Sequence, residues 1–162
     1  MVTAVRRVAR AALLSAALAT SATAQTAPPP ESEVARLVWG TLVALDHANR
    51  TGNYTVLRDL SASGFREVND AARLAGIFAA TRDLPLGRSV LHAPRLGAAP
   101  EIGEDGALRL RGRIPMRPEP VLFDMLFVQE GGDWRLLGLS VARGAEPDPG
   151  ETGPEGTGAE RE

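Results

Sequence analysis

The spacing of apolar residues changes once along this chain, and that change limits the fold more than any single motif. From Glu31 to about Thr81, apolar side chains recur at steps of three and four; from Ala107 onward they recur at steps of two. The first period is that of one helix face, the second that of one strand face. Helices that precede the strands, rather than alternate with them, imply an α+β domain. Its helices pack on one face of an antiparallel sheet.

The helical part reads as three segments. Residues 31–49 place Val34, Leu37, Val38, Leu42, Leu45 and Ala48 on one face, with Arg36, Gly40 and His47 opposite. Ser32 is the expected N-cap, and Glu31 and Glu33 suit the positive helix end. Thr51-Gly52 supplies the stop, since glycine takes the left-handed conformation freely. Asn53 is placed to cap a second helix, Tyr54–Leu60, and Asp70 a third, from about Ala71 to Thr81, with Leu74, Ile77 and Phe78 inward. Pro85 ends it.

The strands follow. Ser89–Leu91 reads as a short one, before a loop bounded by Pro94 and Pro100. Gly103-Glu104-Asp105-Gly106 is a turn. In Ala107–Met116, Leu108, Leu110, Ile114 and Met116 alternate with Arg109, Arg111, Arg113 and Arg117. After Arg117-Pro118-Glu119-Pro120 comes Val121–Gln129, apolar on both faces. Glu130-Gly131-Gly132-Asp133 turns into the last strand, Trp134–Arg143.

The two ends read differently. Residues 1–24 have the form of a secretory signal peptide: Arg6, Arg7 and Arg10, then the uncharged stretch 11–22, then Ala22-Thr23-Ala24 before Gln25. The apolar stretch is shorter than the ~20 residues that span a bilayer. No cysteine follows it, so no bacterial lipid anchor is expected. Residues 25–30 form a proline-rich linker. Residues 145–162 hold proline, glycine and acids with no large apolar residue, and read as a disordered acidic tail. The expected location is periplasmic or secreted, and the all-arginine, alanine-rich composition suits a GC-rich bacterial genome.

Composition removes several chemistries. All 18 basic residues are arginine, against 20 acids, and cysteine is absent. There is no thiolate nucleophile, disulfide or cysteine metal site, and no Schiff-base or phosphate-loop lysine. His47 and His92 share no metal spacing. Residues 31–144 carry 14 arginines and 14 acids, and the chain as a whole is slightly acidic, which argues against nucleic-acid binding. No cofactor or metal is expected.

The order of elements resembles the NTF2-like superfamily, the cone-shaped α+β fold shared by nuclear transport factor 2, ketosteroid isomerase and the SnoaL-like polyketide cyclases. The resemblance covers about Glu31–Arg143. It rests on the long first helix, the segment Asn49-Arg50-Thr51-Gly52-Asn53-Tyr54, a helical stretch bearing Phe65, and three long terminal strands ending near Trp134. More narrowly, the chain is similar to small exported proteobacterial members of unassigned function. The resemblance implies three N-terminal helices on a curved antiparallel sheet. Enzymes, scaffolds and binding modules all use that cone.

The candidate ligand-binding residues are Trp39, Asp46, Asn49, Tyr54, Phe123 and Asp124. Asp46 lies beside Trp39 at the margin of the helix core face. It is either a base with a raised pKa or an edge acid paired with Arg50. Isomerase members of the superfamily pair a pocket carboxylate with a tyrosine donor, and Tyr54 is the single tyrosine; the alternative is a ring packed under a helix turn. Asn49, on the apolar helix face, either points into a pocket or ties down the Thr51-Gly52 turn. Asp124 stands in the row Leu122, Leu126, Val128, where a charge must be paired or neutralised. It is a pocket carboxylate or an ion-pair partner of Arg109, Arg111 or Arg135. The arginine row is either an anion site or the wet face of a strand.

Two functions follow. The first is an exported, non-catalytic module that binds a small apolar ligand in the cone or a partner protein on the sheet. The alternative is a small SnoaL- or isomerase-like enzyme performing proton transfer on a hydrophobic carbonyl compound. Convergence of a carboxylate and a hydroxyl in one cavity would favour the enzyme; a cone filled by Phe65, Phe78 and Phe123 would not. Strand 121–128 is apolar on both faces, and Leu137, Leu139 and Val141 read as a second apolar row beside Trp134 and Leu136. A two-fold homodimer through the open sheet face is therefore expected, with Leu126 or Val128 near its centre.

Overall fold

The computed structural model describes residues 27–145. The signal-peptide reading of residues 1–24 lies outside this range, as does nearly all of the tail. Among the described residues the fold is α+β. Helices α1 (Glu31–Thr51), α2 (Thr55–Asp59), α3 (Ser63–Val68) and α4 (Ala71–Ile77) come first, then two 3-10 segments, Ala79–Thr81 and Leu86–Leu91. An open antiparallel sheet follows: β1 (Arg95–Leu96), β2 (Glu101–Ile102), β3 (Leu108–Ile114), β4 (Val121–Glu130) and β5 (Asp133–Arg143). β3, β4 and β5 are hydrogen-bonded in sequence order, and β1 and β2 both pair with the other edge of β3.

Helix α1 buries the expected face, Val34, Leu37, Val38, Leu42, Leu45 and Ala48, together with Thr41, Ala44 and Asp46. It starts two residues earlier than the Ser32 cap implied. Pro30 is the N-cap, in extended conformation and without a side-chain cap bond. A proline there presets φ for helix entry and lacks an N–H that would need a partner. The helix stops at Gly52, which is left-handed at φ 73 and donates its N–H to the Ala48 carbonyl.

Four α-helices stand where three were expected, α3 being the Phe65 stretch, and the expected second and third helices, α2 and α4, are shorter than the periodicity implies. Asn53 accepts from the Thr55 N–H at 3.0 Å, an Asx turn just before α2. Asp70 caps α4 as expected, accepting from the Arg73 N–H at 2.7 Å. α4 ends at Ile77, and Phe78 to Thr81 tighten into a 3-10 turn. Ile77 is 53% exposed, so only Leu74 and Phe78 of the expected face enter the core. Ser89–Leu91 is part of a 3-10 segment and not a strand; it packs on α1 instead of the sheet.

The sheet's inner face carries Leu108, Leu110, Ile114, Val121, Phe123, Met125, Phe127 and Leu136, all buried with the helices in one cluster. β4 and β5 are joined by Gly131 and Gly132, both at positive φ, the two-residue hairpin that glycine permits. Leu126 pairs with Gly138 and Phe127 with Leu136. Leu137 is therefore an extra residue, a β-bulge, and it switches the faces of everything after it. Trp134, Leu136, Leu139 and Val141 all pack toward the core. The second apolar row expected from Leu137, Leu139 and Val141 does not exist on the open face.

Candidate functional site

Five of the six candidate residues sit on the helical side of the sheet, and of these Asn49 and Tyr54 meet at one place. Asn49 leaves α1 half-buried. Its amide NH2 donates to the Thr81 carbonyl and hydroxyl, each at 3.1 Å, while its Oδ1 accepts from the Tyr54 hydroxyl at 2.7 Å. Tyr54 is fully buried, its ring stacked on Phe78 with centroids 6.5 Å apart. Asn49 thus ties α1 to the 3-10 turn after α4, not to the Thr51-Gly52 turn. Tyr54 fills space between them, with its proton engaged.

Asp46 is buried and faces the Leu86–Leu91 segment. A Cβ on Gly87 would lie 2.8 Å from its Oδ2, so the carboxylate abuts the backbone of that segment. The Arg50 guanidinium stands 3.7 Å from the same oxygen, the pairing expected for an edge acid. Phe123 is 2% exposed and, with Phe65 and Phe78, fills the space between helices and sheet.

Asp124 lies on the other face of the sheet. Arg109 grips it with two bonds, at 2.9 and 2.7 Å, and Arg111 adds a third at 3.1 Å. The Arg109 bonds hold its carboxyl below the usual carboxylate range; burial opposes them, and the Arg111 bond adds to the lowering. Asp124, Asp46 and Tyr54 therefore share no common point. Asp124 is separated from Tyr54 by the sheet, and the Tyr54 proton is held by Asn49.

Phe123 and Asp124 line a cavity of about 710 Å³ among β1, β3, β4 and β5, and the candidate on the helices that faces a cavity is Trp39. It is partly exposed on α1, and its indole N–H donates to the His92 carbonyl at 3.1 Å, which fixes the ring. Along it runs a groove of about 540 Å³ lined by Val34, Ala35, Pro94, Leu96 and Pro100, with Pro28 and Pro29 also bordering it. Its walls are largely hydrocarbon, and its size falls in the range of small-ligand sites, roughly 300–1,000 Å³. A smaller concavity, about 290 Å³, lies between α1, α2 and the start of β5. Leu37, Leu57 and Leu136 form its apolar part, with Arg36, Trp134 and Arg135 at its edges.

The sequence identified Trp39 but not its companions. Pro94 and Pro100 read only as loop boundaries, and Leu96 lies on a two-residue strand with no periodicity to reveal it. Among the described residues no group of three or more His, Asp or Glu is placed to hold a metal ion, and no helix is long and apolar enough to cross a membrane. No protein-family model, curated protein or solved structure matches this chain.

Proposed function

We propose that this protein is an exported, non-catalytic binding module of the NTF2-like type, and that it takes a small apolar ligand in the groove beside Trp39. The groove carries the reading: about 540 Å³ of largely apolar space against an indole fixed by its bond to His92. The interior of the cone offers less, because Phe65, Phe78, Phe123 and Tyr54 fill it. An apolar ligand therefore belongs at the outer edge of α1, not between helices and sheet. Proton transfer on a carbonyl compound finds less support, since Tyr54 and Asn49 are occupied with each other. Export rests on the sequence of residues 1–24 and on nothing in the fold.

A neutral apolar fluorophore, N-phenyl-1-naphthylamine, tests the groove. Its emission should rise on binding, and Trp39→Ala should weaken binding by roughly tenfold, the effect of losing one large aromatic contact surface. Trp134→Phe, on the other concavity, should leave it unchanged. Absence of binding, or binding indifferent to Trp39→Ala, would refute the groove.

A further inference from the structure

The open face of the sheet sorts its side chains into cross-strand rows, because paired residues on adjacent antiparallel strands share a face. One row runs Glu101, Arg109, Leu126, Gly138; the next runs Arg111, Asp124, Ser140; a third runs Arg95, Arg113, Leu122, Ala142. The first two contain their own acids, and Asp124 holds both Arg109 and Arg111. The third places two arginines directly opposite each other with no carboxylate. Neither Arg95 nor Arg113 enters any ion pair among the described residues. Like charges directly across a strand pair are destabilising, so this arrangement asks for an anion.

The backbone enforces it. A Cβ on Gly112 would come 2.2 Å from the Arg95 carbonyl oxygen, so the glycine lets β1 lie close enough to bring Arg95 against Arg113. The two arginines border a cavity of about 710 Å³ that Leu122 and Ala142 also line, together with Asp124, whose carboxylate is already held by Arg109 and Arg111. We propose that this row is a binding site for a small organic anion with a hydrocarbon body, of the medium-chain monocarboxylate class. The guanidinium pair takes the carboxylate through forked hydrogen bonds. The hydrocarbon lies over Leu122 and Ala142, where burial of apolar surface adds affinity. Residues 146–162 also carry carboxylates, but no large apolar side chain to cover Leu122, so they match only half of the site. Leu96 is the one lining residue that this cavity shares with the Trp39 groove, and neither Arg95 nor Arg113 borders that groove.

Calorimetric titration of the protein with sodium octanoate tests this, with sodium acetate as reference. Octanoate should bind with a Kd of about 1 mM or tighter, and acetate roughly tenfold more weakly. Arg113→Gln and Arg95→Gln should each weaken octanoate roughly tenfold without lowering the melting temperature, because each relieves a like-charge contact. If one variant fails to fold, the other carries the test. Arg135→Gln, at the far end of the same face, should change nothing. Octanoate binding indifferent to both Arg95→Gln and Arg113→Gln would overturn the site, as would its loss in Trp39→Ala, which would place octanoate in the groove. Binding that emerges only after residues 146–162 are removed would also overturn it, since the chain's own acids would then be the occupant.

Discussion

At the scale of single residues, three polar side chains that looked like candidates for chemistry are engaged with neighbours. Asn49 bonds simultaneously to Tyr54 and Thr81. A buried acceptor that loses its donor costs about 1–3 kcal/mol. Tyr54→Phe removes the proton that Asn49 Oδ1 accepts and should destabilise the protein by about that amount, read as a lower urea midpoint with an unchanged slope. An unaltered midpoint would mean that the amide needs no partner there. The Asp124 pairing was legible in sequence, because an acid in an apolar row opposite an arginine row has few other ways to be satisfied. The Asn49 pairing was not: Thr81 is 32 residues away, and no local pattern points to it.

At the scale of elements, the short helices are held by their neighbours more than by their own periodicity. The N–H of Ser63, at the start of α3, donates to the Glu130 carboxylate at 2.9 and 3.1 Å, and the Ser63 hydroxyl donates to it at 2.7 Å. The end of β4 thereby anchors α3. The Ser63 hydroxyl first, then its backbone N–H, holds the Glu130 carboxyl below the usual glutamate range. A carboxyl lowered in the folded state stabilises the fold above its ordinary pKa, near 4.5, and that contribution is lost as pH falls through the folded value. The melting temperature should therefore fall more between pH 6 and pH 3 in the wild type than in Glu130→Gln. Parallel pH profiles for the two proteins would refute the anchor. Asp124 acts in the same acid window and keeps its contribution in both.

At the scale of the whole molecule, the expected pairing of two copies meets a smaller apolar surface than the sequence implied. On the open face β4 presents Leu122, Leu126 and Val128, while β5 presents Arg135, Gly138, Ser140 and Ala142. A two-fold dimer centred between Leu126 and Val128 sits about 17 Å along β4 from Leu122, at strand rise, and leaves the Arg95–Arg113 row at its rim. Sedimentation equilibrium at micromolar concentration should give a dimer that Leu126→Arg splits, because an unpaired charge buried at an interface costs several kcal/mol. A wild-type monomer would end this expectation.

The sequence by itself determined which residues of α1 face inward, the alternation of β3, the turns at Gly103–Gly106 and Gly131-Gly132, and the Asp70 cap. Each depends on chemistry within a few residues, so a local period or a turn residue encodes it. It could not orient β4, where both faces are apolar. Nor could it place the bulge, because Leu137 is an ordinary leucine, and only its position between pairs fixed by β4 makes it the extra residue. A one-residue slip moves every later side chain to the other face. Tertiary pairing therefore decided that Leu139 and Val141 join the core, and that Arg95, whose sequence neighbours form a proline-bounded loop, stands opposite Arg113.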